Sequence, residues 1–328
     1  MKYLVTGAAG FIGSSITDRL LAGGNEVIGV DNYSTGLREF LSDAITHANF
    51  TLVEGDLLEP SLLLPYLLNV DAVFHMAANA DIRDGLINPR KDLEQNTLAT
   101  FNVLEAMRES SVRKIIFSST AAALGEPVDF PTPENCPIPA QTSLYGASKM
   151  ACEGLISAYC QGYGFEGYIF RFVSVLGPRY PHGHVFDFVN KLRKNKSHLL
   201  ILGDGSQRKS YLHIADCLDA LLHIPNANSS TIRSGGQYEV FHLGFPGYCR
   251  VEDSARWICS ELGLSPKFEF SGGDRGWIGD NPFVFLDVGK AKAAGWSPRY
   301  TIEQSIRETT RWLSDNSWIF ALRNPSRE

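Results

Sequence analysis

The stretch that most constrains this chain is its beginning, MKYLVTGAAGFIG. The apolar run Tyr3-Leu4-Val5 reads as a strand, Gly7, Gly10 and Gly13 as a turn, and Ile16, Leu20 and Leu21 as the apolar face of a helix. Glycines allow a tight turn and let the backbone come close to a ligand. The free N–H groups of a helix start favour negative charge. Strand, glycine-rich turn and helix in that order are the phosphate-cradling start of a dinucleotide-binding unit.

The alternation continues. Glu26-Val27-Ile28-Gly29-Val30 reads as a second strand ending in Asp31, at the distance where an acid meets an adenosine ribose. A carboxylate there accepts hydrogen bonds from the 2′ and 3′ hydroxyls and repels a 2′-phosphate, so NAD is favoured over NADP. Residues 50–56 read as a third strand, 72–75 as a fourth leading into Met76-Ala77-Ala78, and 114–117 as a fifth before Ser118-Ser119-Thr120. A leucine-rich helix shortened by Pro65 is expected after Pro60, a long helix over 93–108, and a further strand over 165–175. Such alternation predicts an α/β fold, a Rossmann-type doubly wound parallel sheet with ligands beyond the carboxyl ends of its strands.

Five prolines within 127–139 make a loop that delivers the chain to a helix over 143–163. From Gly177 the elements shorten, which predicts a smaller α/β substrate-binding lobe. Residues 211–224 and 238–243 again look like a helix and a strand of the first unit. The expected division is therefore 1–175 as the NAD-binding unit, with 211–243 returning to it, and 176–210 with 244–328 as the lobe. Thr301-Ile302-Glu303-Gln304 has the pattern of a capping box heading a helix, and the last dozen residues are expected to be loosely held.

A formal net charge of −6 argues against a nucleic-acid-binding face, so an anionic ligand must be met by local Arg, Lys and helix N-termini. The six cysteines show neither a CxxC pair nor metal-like spacing, and read as buried thiols of a reducing compartment. His182, His184 and His213 form no metal-ligand pattern, and no metal is expected. His75 reads as a strand-end residue satisfied by hydrogen bonds, and Trp277, Trp296 and Trp312 as core. No apolar run is long enough to span a membrane, and the first strand leaves no room for a signal peptide. The expectation is a cytoplasmic protein with no membrane partner.

Tyr145-Gly146-Ala147-Ser148-Lys149 carries the chemistry. Tyr and Lys four apart share one helix face. A phenol is a poor base at neutral pH. A nearby ammonium and a positive nicotinamide ring both favour its phenolate, against burial. Such a tyrosine can accept a proton from a sugar hydroxyl while hydride leaves the same carbon, and Lys149 can hold the nicotinamide ribose.

With these residues in place the chain resembles the extended short-chain dehydrogenase/reductase family, and within it the UDP-galactose (UDP-glucose) 4-epimerases. TGAAGFIG, VDNYSTG, Gly55-Asp56-Leu57, HMAA, SST, YGASK, RFVSVLGPR, GDGSQRKSYLHIAD and Arg275 with Gly279-Asp280 carry the likeness over nearly the whole chain. The resemblance implies a bound NAD contacted by Gly7, Phe11, Ile12, Asp31, Asn32, Ser34, Gly36, Asp56, Leu57, Ala77, Ala78, Asn96, Tyr145 and Lys149, with Gly10 and Gly13 in the turn. Asp56 would face the adenine amino group. Thr120 matches the family's catalytic Ser/Thr, sharing a hydrogen bond with the sugar O4. Tyr145 would take the O4 proton as the C4 hydride moves to NAD; the 4-keto sugar then turns over and hydride returns to its other face. The implied substrate is UDP-glucose or UDP-galactose, and the implied assembly is a homodimer through the helix near 93–108 and the Tyr145 helix.

The nucleotide diphosphate needs firm holding, and Arg208, Lys209 and Arg275 are the candidates. Ser174 stands where the family usually has Asn. Arg208-Lys209-Ser210 stands where it has Arg-Asp, which leaves open which cation meets the phosphate. Leu124-Gly125 replaces Tyr-Gly. Val284 falls near the usual sugar-pocket gate, where many members carry Tyr, and leaves room for an N-acetyl group. A UDP-uronic acid 4-epimerase would use the same Thr, Tyr and Lys. A 4,6-dehydratase is disfavoured because Ala121 and Ala122 follow Thr120 where dehydratases carry acids. A non-catalytic NAD-binding regulator would be marked by loss of Thr120, Tyr145 or Lys149, all of which are present.

Overall fold

The computed structural model describes residues 1–82, 84–138, 140–227, 237–276 and 281–323. Its main sheet begins with Lys2–Thr6 (β1), Glu26–Asp31 (β2), Phe50–Glu54 (β3), Ala72–His75 (β4), Lys114–Thr120 (β5) and Glu166–Phe172 (β6). Ser174–Leu176 (β7), His198–Ile201 (β8), Arg208–Lys209 (β9) and Tyr211–His213 (β10) follow outside it, and Gln237–Leu243 (β11) then returns beside β6. The order is β11-β6-β5-β4-β1-β2-β3, with every neighbouring pair parallel. The chain reverses direction across the sheet between β1 and β4, the place where such sheets leave a crevice for a ligand.

Both faces are covered, so the strands are apolar on both sides. Leu4, Ile28, Val73, Ile115 and Phe117 enter one core, while their neighbours Tyr3, Val5, Val27, Phe74 and Ile116 enter the other. Phe11–Ala22 (α1) packs on one face. Asp84–Ile87 (α2), Pro89–Asp92 (α3), a π turn over Leu93–Leu98, Ala99–Glu109 (α4) and Leu144–Tyr163 (α5) follow in order, with α4 and α5 on the other face. His184–Lys194 (α6) belongs to a separate core, and Ile214–Ala227 (α7) packs beside α1. The separate core is built by α6, β8, Val251–Glu261 (α8), Ile302–Asp315 (α10) and Trp318–Arg323 (α11) around Val189, Ile201, Ile258, Ile306 and Phe320. Cys249–Arg250 (β12) and Lys267–Phe270 (β13) add Cys249 and Phe268 to it, while Phe283–Val284 (β14) and Gly289–Ala293 (α9) turn Val284 and Ala291 to the main sheet. This is the α/β doubly wound sheet that the alternation predicts. Among the described residues, no helix is long and apolar enough to cross a membrane.

Several local expectations are corrected. The leucine-rich stretch after Pro60 makes only a 3₁₀ turn at Leu64–Tyr66, because Pro65 offers no N–H for a longer ladder. The helix expected over 93–108 opens with the π turn before becoming α4. The strand over 165–175 is two: β6 stays in the main sheet, while β7 leaves it to pair with β10. That pairing also takes the start of the 211–224 stretch as strand before α7 begins. Leu286, Val288, Ala291 and Trp296, inside the stretch 244–328, pack on the sheet's own core. The last dozen residues are not all loose, since Ile319 and Phe320 of α11 are buried. Trp277 and Gly279-Asp280 lie outside the described residues.

Candidate active site

The turn after β1 shows why its glycines are there. Gly7 has a φ of +67°, and a Cβ on it would lie 2.7 Å from the Ala77 backbone. A Cβ on Gly13 would stand 1.9 Å from the Gly7 carbonyl, so α1 could not start where it does. Gly10 is the residue before the helix, with no side chain to cap its N–H groups. The cleft above the turn is lined by Gly7, Gly10, Asp31, Asn32, Ser34 and Gly36, with Leu57, Ala77 and Ala78 on the opposite wall.

Asp31 ends β2 inside this cleft. Its carboxylate accepts from Ala9 N and Tyr33 N, both at 2.8 Å. Burial pushes its carboxyl above the ordinary range, and those two N–H groups pull it back. A Cβ at Gly36 would press on the carboxylate at 2.7 Å. Phe11, Ile12, Tyr145 and Lys149 line the neighbouring cavity instead, and three of the predicted contacts line neither. Gly13 lies beneath Gly7; Asp56 is tied to Asn32 Nδ2 at 2.9 Å and to Leu58 N at 2.9 Å; Asn96 is buried, donating to Ser148 Oγ at 2.8 Å.

A second cavity of about 420 Å³ opens beside the first, and Met76 and Ala78 line both. Phe11 and Ile12 form its wall on the turn side, and Thr120, Tyr145, Lys149, Ser174 and Lys209 line it further on. Ser143 caps α5, its Oγ accepting from Gly146 N at 3.0 Å. Gly146 is needed because a Cβ there would meet the Ala122 carbonyl at 2.4 Å. The start of α5 is thus seated against the turn that follows Thr120.

Burial pushes the Tyr145 hydroxyl up to about 12; a hydrogen bond with Thr120 lowers it, and Asp92 and Cys152 raise it. Lys149, pushed down to about 8 by burial, turns its Nζ to the Ser118 carbonyl at 2.8 Å. In the protein alone, burial is the largest influence on the phenol.

The three phosphate candidates separate. Lys209 lines the cavity and bonds the Asn281 carbonyl. Arg208 instead lies over the Phe283 ring at 3.8 Å, and Arg275 pairs with Glu126 at 2.5 and 3.1 Å; neither lines the cavity. Two features were missed in the sequence. Gln207 lines the cavity, 3% exposed, with no partner for Oε1 among the described residues. Glu153 sits one turn beyond Lys149 in a buried pair with Arg171; extending the repeat of four from Tyr145 and Lys149 by one turn would have found it.

The model of the NAD dependent epimerase/dehydratase family matches residues 3–242. The chain belongs to that family. The UDP-glucose 4-epimerase of Mycolicibacterium smegmatis is 31% identical over 325 residues, covering 97% of this chain and 100% of that protein. A crystal structure of a UDP-galactose 4-epimerase superposes with a TM-score of 0.86 at 34% identity, over 97% of this chain and 100% of its own. The UDP-glucuronic acid 4-epimerase of Bacillus cereus, solved with UDP-glucuronic acid and NAD, gives a TM-score of 0.84 at 25% identity, over 96% of this chain and 99% of its own.

As an epimerase/dehydratase family enzyme the protein takes NAD as its cofactor, and its own residues fit that group. Any side chain at Gly7 would press on the Ala77 backbone across the cleft, and Asp31 sets a carboxylate in its lining, an acceptor of the kind a ribose needs. His75, adjoining the cleft, is buried between the Thr6 and Thr100 hydroxyls at 2.7 and 2.9 Å, as a structural residue should be. The six cysteines are free thiols, five of them buried.

Proposed function

We infer that the protein inverts C4 of a UDP-hexose, UDP-glucose and UDP-galactose first, by way of a 4-keto sugar. The observation that carries this reading is the pairing of buried Tyr145 with half-buried Thr120 in a cavity that adjoins the glycine-rich cleft. Bound NAD supplies a two-electron acceptor and a positive ring. Asp31 holds the adenosine ribose and the turn at Gly7 and Gly10 holds the pyrophosphate. Tyr145 accepts the O4 proton and returns it, and Thr120 shares that proton through its hydrogen bond. Lys209 is the cation that the cavity offers to the sugar nucleotide's diphosphate, and the sugar is left free enough to turn, since tight ground-state binding would not speed the reaction. Val284 on the cavity wall leaves space for an N-acetyl group.

A panel of UDP-hexoses, UDP-N-acetylhexosamines and UDP-uronic acids followed by proton NMR tests the reading. Inversion at C4 of UDP-galactose is expected. Inversion of UDP-glucuronic acid alone moves the assignment to the uronic acids, loss of water moves it to the dehydratases, and no reaction favours a regulatory NAD-binding protein.

Asp31→Asn keeps an acceptor oxygen and removes the charge. It should shift the ratio of NADP to NAD affinity by about tenfold or more, the worth of roughly one charged hydrogen bond. Calorimetric titration with both cofactors checks this, and an unchanged ratio would count against the ribose assignment.

The protein is proposed to act as a homodimer through α4 and α5. Leu98, Phe101 and Leu144, all over 40% exposed, supply apolar surface on or beside those helices. Light scattering coupled to gel filtration should give twice the 36.2 kDa chain mass, and a monomer at micromolar concentration would refute it.

A further inference from the structure

Helix α5 meets the end of β5 in three rungs. Tyr145, Lys149 and Glu153 follow at four-residue spacing and so share one helix face. Tyr145 bonds the Thr120 side chain, Lys149 Nζ donates to the Ser118 carbonyl at 2.8 Å, and Ser119 Oγ donates to Glu153 Oε1 at 2.5 Å. Three consecutive strand residues are thereby tied to three successive turns of helix.

The third rung is anchored from behind. Arg171, the register partner of Ser119 on β6, donates from Nε to Glu153 Oε1 at 3.0 Å and from Nη2 to Oε2 at 2.7 Å. Both side chains are 6% exposed. Arg171 Nη1 reaches the Glu134 carbonyl at 3.3 Å and His242 Nε2 at 3.4 Å. The Thr132 carbonyl can only accept, so His242 Nδ1, 3.0 Å from it, carries the proton and Nε2 is the acceptor for Arg171. The proline-rich loop and β11 are thus connected to the β5–α5 junction.

Stability does not account for such a pair. Withdrawing two charges from water costs about what their attraction returns, and apolar side chains of like volume would fill the core as well. What the pair does supply is a fixed distance between helix and strand, and a negative charge one turn behind an ammonium. We propose that Glu153, held by Arg171, is a positioning residue that locks the β5 end against α5 and sets a negative charge one turn behind Lys149. The proposal rests on the reading of Thr120, Tyr145 and Lys149 given above.

The groups facing Lys149 come from several elements. Asp92 lies on α3, His75 on β4, Cys152 and Glu153 on α5, and Arg171 on β6 behind Glu153. Burial pushes the Lys149 ammonium down to about 8, and Cys152, Glu153 and Asp92 pull it back up. Without the Glu153 charge, Lys149 should give up its proton at lower pH.

Two variants test this. Glu153→Gln keeps an oxygen for Ser119 but leaves the guanidinium unpaired, which can cost the fold; Glu153→Gln with Arg171→Met removes both charges. Carbon-13 NMR of the lysine Cε signals in NAD-loaded protein, assigned with Lys149→Arg, reads the titration with no sugar present. The midpoint should fall by about one pKa unit or more in Glu153→Gln, the usual size of one close charge, and by less, yet measurably, in the double variant, where the more distant Arg171 charge goes too. Turnover should fall about 30-fold with KM changed less than about threefold, the pattern of a lost transition-state interaction. An unmoved Lys149 midpoint in the folded double variant overturns the proposal, whether or not turnover is lost. So does wild-type turnover in that variant. If the wild type turns over no nucleotide sugar, the functional reading fails, and the Lys149 midpoint still decides whether Glu153 sets that charge.

Discussion

Tyr145→Phe should lower turnover about 10³-fold while leaving NAD bound, since loss of a positioned general base commonly costs 10²–10⁴-fold. The phenyl ring keeps the packing of a side chain that is 9% exposed, and only the hydroxyl facing Thr120 is lost. A hydroxyl pushed up to about 12 by burial is a phenol at neutral pH, so positive charge brought with the cofactor must lower that value and favour the phenolate. The variant should therefore release NAD in equimolar amount on acid treatment yet fail to invert the sugar. Near wild-type inversion would remove Tyr145 from the base role.

Mild acid should unfold the protein well before its carboxylates are all protonated. Three histidines are buried and neutral, each pushed down to about 3 chiefly by burial: His75 with help from Lys149, His184 with help from Lys209, and His242 with help from Arg171. Their folded values lie below the unfolded 6.5. The unfolded chain thus binds more protons between those limits, and stability falls as pH falls. Each histidine withdraws about 1.4 kcal/mol per pH unit within the window, so the three together remove roughly 6 kcal/mol between pH 7 and 5. That is comparable with the whole stability of an ordinary domain. Asp18 and Asp31, raised by burial, act in the opposite sense and soften the slope. Urea unfolding midpoints across this range should fall steeply, and His75→Asn should reduce the slope by about one third, one histidine of the three. A flat profile from pH 7 to 5 would show that these imidazoles are not held neutral.

The parts of the fold that were legible in the sequence are those encoded over a few residues. The strand, glycine turn and helix at the N-terminus stand as the spacing of Gly7, Gly10 and Gly13 predicts. The capping box is formed, with Gln304 N donating to Thr301 Oγ1 at 3.2 Å and Thr301 N to Gln304 Oε1 at 2.8 Å. What was not legible depends on partners far away in the chain. Arg275 is engaged by Glu126, 149 residues distant, and no local pattern names that carboxylate. The segment at 318–323 is only six residues long, too short for a helical period to show, yet Ile319 and Phe320 find an apolar surface made by α6 and its neighbours. The π turn that precedes α4 and the proline-stopped turn at Leu64–Tyr66 arise where the backbone ladder departs from a helix, which apolar periodicity does not register. In the candidate site, Tyr145 and Lys149 were visible as one helix face, whereas the choice of Lys209 over Arg208 at the cavity wall followed only from how β9 is laid against β14.

Through the Thr120–Tyr145 hydroxyl pair, C4 of the sugar should lose and regain the same hydrogen. UDP-galactose carrying deuterium at C4, incubated with the protein in ordinary water, tests it most directly by proton and deuterium NMR of the product. The account predicts UDP-glucose with the C4 label retained. Inverted product that has exchanged its C4 deuterium with solvent, or a labelled substrate recovered uninverted, would contradict it.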